Sequence, residues 1–153
     1  MDKPWYADVV TPALLRHART TYGFAMRQAL DEAGYDDIPA NGLYVIGGLA
    51  LGAGDVPLGA LIRDLGVSRQ GAGQLVDTLV ARGYLDRAID TEDRRKLNIT
   101  LTARGQAAAA VQADARARID AALAERVGFE TVMVMRQGLA ALVDLGRDSR
   151  DAE

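Results

Sequence analysis

The chain has 153 residues, with 18 Lys and Arg against 21 Asp and Glu for a formal net charge of −3, a single histidine and no cysteine. That length suits one domain with its own core, and the lack of cysteine excludes disulfides, thiol redox switching and thiolate metal sites. No run approaches the roughly 20 apolar residues that cross a bilayer, and Met1-Asp2-Lys3-Pro4-Trp5 lacks the charged-then-apolar pattern of a leader, so a cytoplasmic protein without a membrane partner is expected.

In chain order, Val10, Leu14, Ala18, Tyr22, Ala25 and Ala29 recur at helical spacing and predict a long amphipathic helix from Asp8 to about Ala33, ended by Gly34. Pro39 and Asn41 open a second helix through Leu51, with Leu43, Val45, Ile46 and Leu49 as candidate core, and Gly52 to Asp55 link it onward. From Val56 the chain reads helix, tight turn, helix: Leu58, Leu61, Ile62 and Leu65 form one apolar stripe, Gly66 supplies the turn, and Ser68 is placed to cap the next helix. In that next helix Ala72, Leu75, Val76 and Leu79 form the buried stripe. The opposite face carries Gln70, Gly73, Gln74 and Asp77, with Arg69 at its amino end.

After Gly83 the period changes from helical to alternating. Tyr84 to Ile89 predicts one strand, and Leu97, Ile99 and Leu101 alternating with Asn98 and Thr100 predict its partner. The connection Asp90 to Lys96 ends in Arg94, Arg95 and Lys96, and from Arg94 to Arg104 there are four basic residues and no acidic one. Beyond Thr102 an alanine-rich helix extends to about Val127, with Val111, Ala115, Ile119, Leu123 and Val127 every four residues. Gly128 breaks it, and Glu130 to Leu145 forms a last helix with Val132, Met135, Leu139, Leu142 and Val143.

The chemistry of this pattern is that of a DNA reader. Gln70 and Gln74 each offer a donor and an acceptor, as a base edge in the major groove requires, and Arg69 suits a guanine or a phosphate. The bland alternative is a solvated face on an amphipathic helix. Against it stand Gly71 and Gly73, each costing roughly 1 kcal/mol relative to Ala inside a helix. They point either to close approach to a groove floor or to a helix loosely formed until DNA binds. Asp77 fits poorly beside phosphates; it is expected to pair with a base or a basic side chain, or to point away. Arg94, Arg95 and Lys96 at a hairpin tip suit the backbone or a narrow minor groove, with Asp93 orienting the Arg95 guanidinium. Net acidity does not disqualify the reading, because affinity depends on the cations that meet phosphates. The acidic excess gathers in Asp31 to Asp37 and in the tail from Asp144 to Glu153.

Asp90-x-x-Asp93-Arg94-Arg95, then Leu101-Thr102-x-x-Gly105, after a segment from Ser68 that ends in Arg82-Gly83-Tyr84-Leu85, resembles the winged helix-turn-helix of the MarR family of bacterial transcriptional regulators. The likeness is densest over Leu58 to Gly105. It departs from the common wing in having Thr91 where Pro is frequent, and in the two recognition-helix glycines. The resemblance implies a dimer whose recognition helices enter major grooves while the wings touch minor grooves, and it places the wing's Asp-x-Arg motif on Asp93 and Arg95. It also implies an effector pocket, for which Trp5, Tyr6, His17, Tyr22 and Tyr44 are the candidate lining, though each is equally a packed or interfacial side chain.

The fold expected is mainly α with a small β wing: a single domain over 1–153, with a winged helix-turn-helix at 56–102 and dimerisation helices at 1–37 and 103–153. Long helices apolar on one side and separate from the reading motif suit packing across a two-fold axis, so that paired heads read a pseudo-palindrome. The partners expected are double-stranded DNA, a second copy of the chain and a small-molecule effector. No cofactor or metal is expected. Catalysis is not expected either, because His17 has no second histidine or cysteine beside which to build a nucleophile pair or a conventional metal site, and Gly47-Gly48 and Gly71-x-Gly73 lack a strand-then-helix setting. A repressor is the reading, and the alternative is a protein-interaction module that keeps the winged fold without binding DNA.

Overall fold

The computed structural model describes residues 2–52, 56, 57, 63, 66–89, 91–95 and 97–152. The expected first helix of the reading motif, with Leu58, Leu61, Ile62 and Leu65, lies outside the described residues, as do the link at 53–55, Asp90 and Lys96. Two compact units divide the chain, Met1–Arg116 and Ala117–Glu153. Among the described residues no helix is long and apolar enough to cross a membrane.

The larger unit opens with a 3-10 turn, Trp5–Asp8, and then α1, Thr11–Glu32. Periodicity alone predicts this helix from Asp8. Pro12 instead sets its start, because a proline in the first turn sacrifices only an amide that has no partner there. At its other end Gly34 takes a φ of 87°, and the Tyr35 amide turns back to the Leu30 carbonyl at 2.8 Å, satisfying a carbonyl the helix would otherwise leave free. Arg27 Nη1 then holds the following loop by donating to the Ile38 carbonyl at 2.5 Å. Helix α2, Gly42–Leu51, buries Leu43, Val45, Ile46 and Leu49, the four residues expected of it.

Three strands form one antiparallel sheet in the order β1-β3-β2, with β1 at Val56–Pro57, β2 at Leu85–Ile89 and β3 at Leu97–Leu101. The hairpin is the one expected, and its register runs from Leu85 opposite Leu101 to Ile89 opposite Leu97. Strand β1 corrects the expectation of a helical motif opening at Val56. Two residues carry no period, and Pro57 is tolerated because it sits on an edge strand, opposite Asn98.

Between β1 and β2 runs α3, Arg69–Ala81, and after β3 comes α4, Ala103–Val127. Within the larger unit α4 buries Gly105, Ala108, Ala109, Gln112 and Ala115, so its core face is rotated from the predicted stripe of Val111, Ala115, Ile119, Leu123 and Val127. A polarity count misses this because Gln112 is fully buried, its Nε2 donating to the Leu43 carbonyl at 2.8 Å. In the smaller unit α5, Phe129–Asp151, runs past the predicted Leu145 and buries no residue.

The end of α3 is the tightest joint in the fold. Gly83, at a φ of 83°, lets the Tyr84 amide reach back to the Leu79 carbonyl at 2.9 Å. The Tyr84 carbonyl accepts from the Thr102 amide at 3.1 Å, while Thr102 Oγ1 donates to the Gly83 carbonyl at 2.5 Å and accepts from the Gly105 amide at 3.0 Å, capping α4. A Cβ on Gly105 would stand 2.2 Å from the Tyr84 carbonyl oxygen and 2.9 Å from Leu101 Cδ2. Since backbone cannot yield as a flexible side chain can, Gly105→Ala is expected to destabilise the chain by about 1–3 kcal/mol or more. Urea unfolding measures this, and an unchanged midpoint would disprove the close approach.

Candidate nucleic-acid interface

Helix α3 begins where Ser68, extended at φ −60° and ψ 153°, accepts a hydrogen bond from the Gly71 amide on its Oγ at 3.0 Å. Burial of Ala72, Val76 and Leu79 fixes the helix's rotation, which leaves Arg69, Gln70, Gln74 and Asp77 exposed on the other side. The two glycines differ in their surroundings. A Cβ at Gly71 would lie 3.1 Å from the capping hydroxyl, whereas one at Gly73 would meet nothing within 4 Å among the described residues. Gly71 therefore spares the cap a tight contact, and Gly73 has open space on the described side of the helix.

At the hairpin tip Arg94 and Arg95 are exposed, and Arg95 is almost entirely in solvent. Asp93 Oδ1 accepts the Arg95 backbone amide at 3.1 Å, while the Arg95 Nε stands 3.8 Å away. Asp93 thus orders the turn of the chain at Arg95 and only loosely attracts its guanidinium. Lys96, the third cation expected at the tip, lies outside the described residues.

Other cations of this region are paired: the basic partner expected as one alternative for Asp77 is there, while the partners of Arg82 and Arg104 went unforeseen. Arg87 on β2 pairs with Asp77 on α3, which resolves the misfit of that carboxylate. Arg82 Nη1 donates to the Asp37 carbonyl. The Asp37 carboxylate in turn accepts from the hydroxyl of buried Tyr84 and lies 3.3 Å from Arg104 Nη2, which also reaches the Tyr84 hydroxyl at 2.9 Å. Arg104 covers the Tyr84 ring at 4.6 Å. The Tyr84 hydroxyl first, and the Arg104 charge after it, hold the Asp37 carboxyl below its ordinary value of 3.8 against the opposing effect of burial. Burial first, and the Asp37 acceptor after it, push the Tyr84 phenol up. Only the sequence signal at Asp77, a carboxylate on a face that should avoid one, could have revealed any of these pairs.

The five candidate pocket residues lie on the opening 3-10 turn, on α1 and on α2. Trp5 and Tyr6 are exposed and meet edge to face at 5.8 Å, His17 is exposed, Tyr22 is half-buried, and Tyr44 lies under the Arg19 guanidinium at 4.4 Å. A hollow of about 610 Å³ opens instead between the end of α2, β3 and α4, where Leu49, Leu51, Thr100, Leu101, Gln106 and Arg116 are part of its lining and none of the five is. A smaller one of about 330 Å³ lies beside α3, with Asn41, Val67, Gln74 and Thr78 on its walls.

Residues 37–96 match the model of the MarR family. No curated protein matches the chain. Among solved structures, the chain is similar to Streptococcus pneumoniae FabT in complex with DNA, at 20% identity and a TM-score of 0.74 over 90% of this chain and 95% of that one. It is similar to S. aureus MepR in a DNA-binding conformation, at 18% identity and a TM-score of 0.72 over 88% and 97%. A structure of MarR superposes at a TM-score of 0.78 and 16% identity over 100% and 99%. At these identities the likeness shows the fold, a mainly helical winged helix-turn-helix.

The Asp37 cluster also carries a pH dependence. A carboxyl harder to protonate folded than unfolded lends its stability in full above its ordinary 3.8 and loses it as pH falls through the lowered folded value. Acid unfolding of the Asp37→Asn variant is therefore expected to be flatter than wild type below pH 3.8, from a lower plateau above it. Parallel curves would remove Asp37 from the account.

Proposed function

We propose that this chain, which carries a MarR-family winged helix-turn-helix over residues 37–96, is a homodimeric, sequence-specific DNA-binding regulator that represses by occluding a promoter. One observation carries the reading: Gln70 and Gln74 are exposed together on α3, and the hairpin bearing exposed Arg94 and Arg95 is joined to the same helix through Arg87 and Asp77. In this reading α3 enters a major groove, with Arg69, Gln70 and Gln74 meeting base edges, Gly73 permitting close approach, and Ser68 capping the helix at the phosphates. Arg94, Arg95 and Lys96 take the backbone or the neighbouring minor groove, with Asp93 shaping the turn.

The dimer rests on α5. Met135, Leu139, Leu142 and Val143 share one face of this helix and are exposed, on a helix with no buried residue. Covering what each leaves exposed, at about 25 cal/mol per Å² of apolar surface, favours association of two copies along this face. A second copy then sets the distance between two heads reading a pseudo-palindrome. Release by a small molecule belongs to the same reading. A ligand in the 610 Å³ hollow would bear on β3 of the winged motif and on the end of α2 that precedes it, and would act through differential affinity for DNA-competent and incompetent arrangements.

Two measurements test this. Fragments selected from genomic DNA by the purified protein should bind with an affinity that falls steeply with salt; Arg95→Ala should weaken all sequences alike, while Gln74→Ala should relax discrimination at one position. Binding indifferent to salt would favour a protein partner instead. In sedimentation the chain should run as a dimer and Leu142→Glu as a monomer; a wild-type monomer would sink the paired-head geometry.

A further inference from the structure

We propose that Asp77 sets specificity by withholding Arg87 from the DNA backbone, an inference that rests on the DNA-reading function above. Asp77 lies three residues beyond Gln74 and seven beyond Gln70, on the exposed face of α3. It is therefore a carboxylate where phosphates would approach. Arg87 stands on β2 opposite Ile99, and its guanidinium reaches out of the sheet to that carboxylate. The far end of the reading face thus presents a neutral pair where it would otherwise present a cation.

Stability does not explain the pair. Asp77 is 64% exposed and Arg87 35%, and ion pairs this open to water add little to folding. Competition does explain it, because a carboxylate and a phosphate offer a guanidinium the same kind of paired oxygen acceptors. An arginine engaged by Asp77 releases no counterions from DNA. Phosphate binding supplies essentially all of nonspecific affinity, whereas base readout discriminates. Removing one cation from the phosphate set therefore lowers binding to random DNA more than it lowers readout, and the ratio between the two rises. Arg82 and Arg104 are engaged elsewhere, at Asp37, so Arg87 is the arginine whose partner shares the face of the two glutamines.

The test is a double-mutant cycle on the full chain, with salt titrations against a random-sequence duplex and against a fragment selected from genomic DNA. Asp77→Asn should tighten binding to the random duplex and narrow the gap between selected and random DNA. It should also steepen the salt dependence by about two for a dimer, at roughly 0.9 for each additional phosphate neutralised. Arg87→Gln should then flatten the slope far more in the Asp77→Asn background than in wild type. Equal effects in both backgrounds would mean that Asp77 acts only through its own repulsion, and would overturn the inference while leaving the DNA reading standing. Wild-type protein that binds neither duplex would overturn both.

Discussion

Everything else in the larger unit is positioned by the place where α3 stops. At Gly83 the chain turns through a left-handed residue, and at Tyr84 three elements meet within one amino acid. Its amide closes α3 on the Leu79 carbonyl, its carbonyl receives Thr102 at the start of α4, and its ring is buried in the core. The hydroxyl continues outward to Asp37 and Arg104. A helix that must present a fixed face to a partner gains more from such a joint than from added core, because the joint sets its angle. The Leu101-Thr102-x-x-Gly105 motif acquires a physical meaning here. Thr102 caps α4 and holds the Gly83 carbonyl, and Gly105 leaves room for the Tyr84 carbonyl, so these residues hold the end of α3 in place.

The distribution of charge follows from the same joint. A chain with a net charge of −3 can still offer a basic face if its cations are sorted. Arg82 and Arg104 are engaged at Asp37, within the acidic stretch between α1 and α2. Arg87 is neutralised on α3, while Arg94 and Arg95 remain exposed at the tip. Local pairing has divided the arginines into those engaged by a carboxylate or carbonyl and those at the tip whose guanidinium stands in solvent. The sum over the sequence conceals that division.

What could be read from the chain was what local periodicity encodes. Helix α4 begins and ends where its pattern says, both hairpin strands fall within a residue of their alternation, and the capping role of Ser68 is visible from its place before an apolar stripe. Features that depend on distant partners could not be read. Strand β1 exists only because Ile99 and Asn98 are there to pair with it, and nothing in Val56-Pro57 announces that. Gln112 is polar by type and core by position because the Leu43 carbonyl faces it. Tyr84 meets Asp37 across 47 residues. The exposure of Arg69, Gln70 and Gln74 was legible for the opposite reason: once the apolar stripe of α3 is fixed, helix geometry alone places the other face.

The glycines of α3 bear on whether the helix is formed before any partner arrives. Two of them cost about 2 kcal/mol together, and the Ser68 cap returns about 1 kcal/mol. Burial of Val76 and Leu79 contributes about a further 1.5–3 kcal/mol each, and Ala72 adds to it. The helix is continuous over Arg69–Ala81 across both glycines. A Cβ at Gly73 would touch nothing among the described residues, so the glycine there leaves a bare patch on the helix. The bare patch lies beside Gln70 and Gln74, on the face that the buried stripe of Ala72, Val76 and Leu79 turns outward.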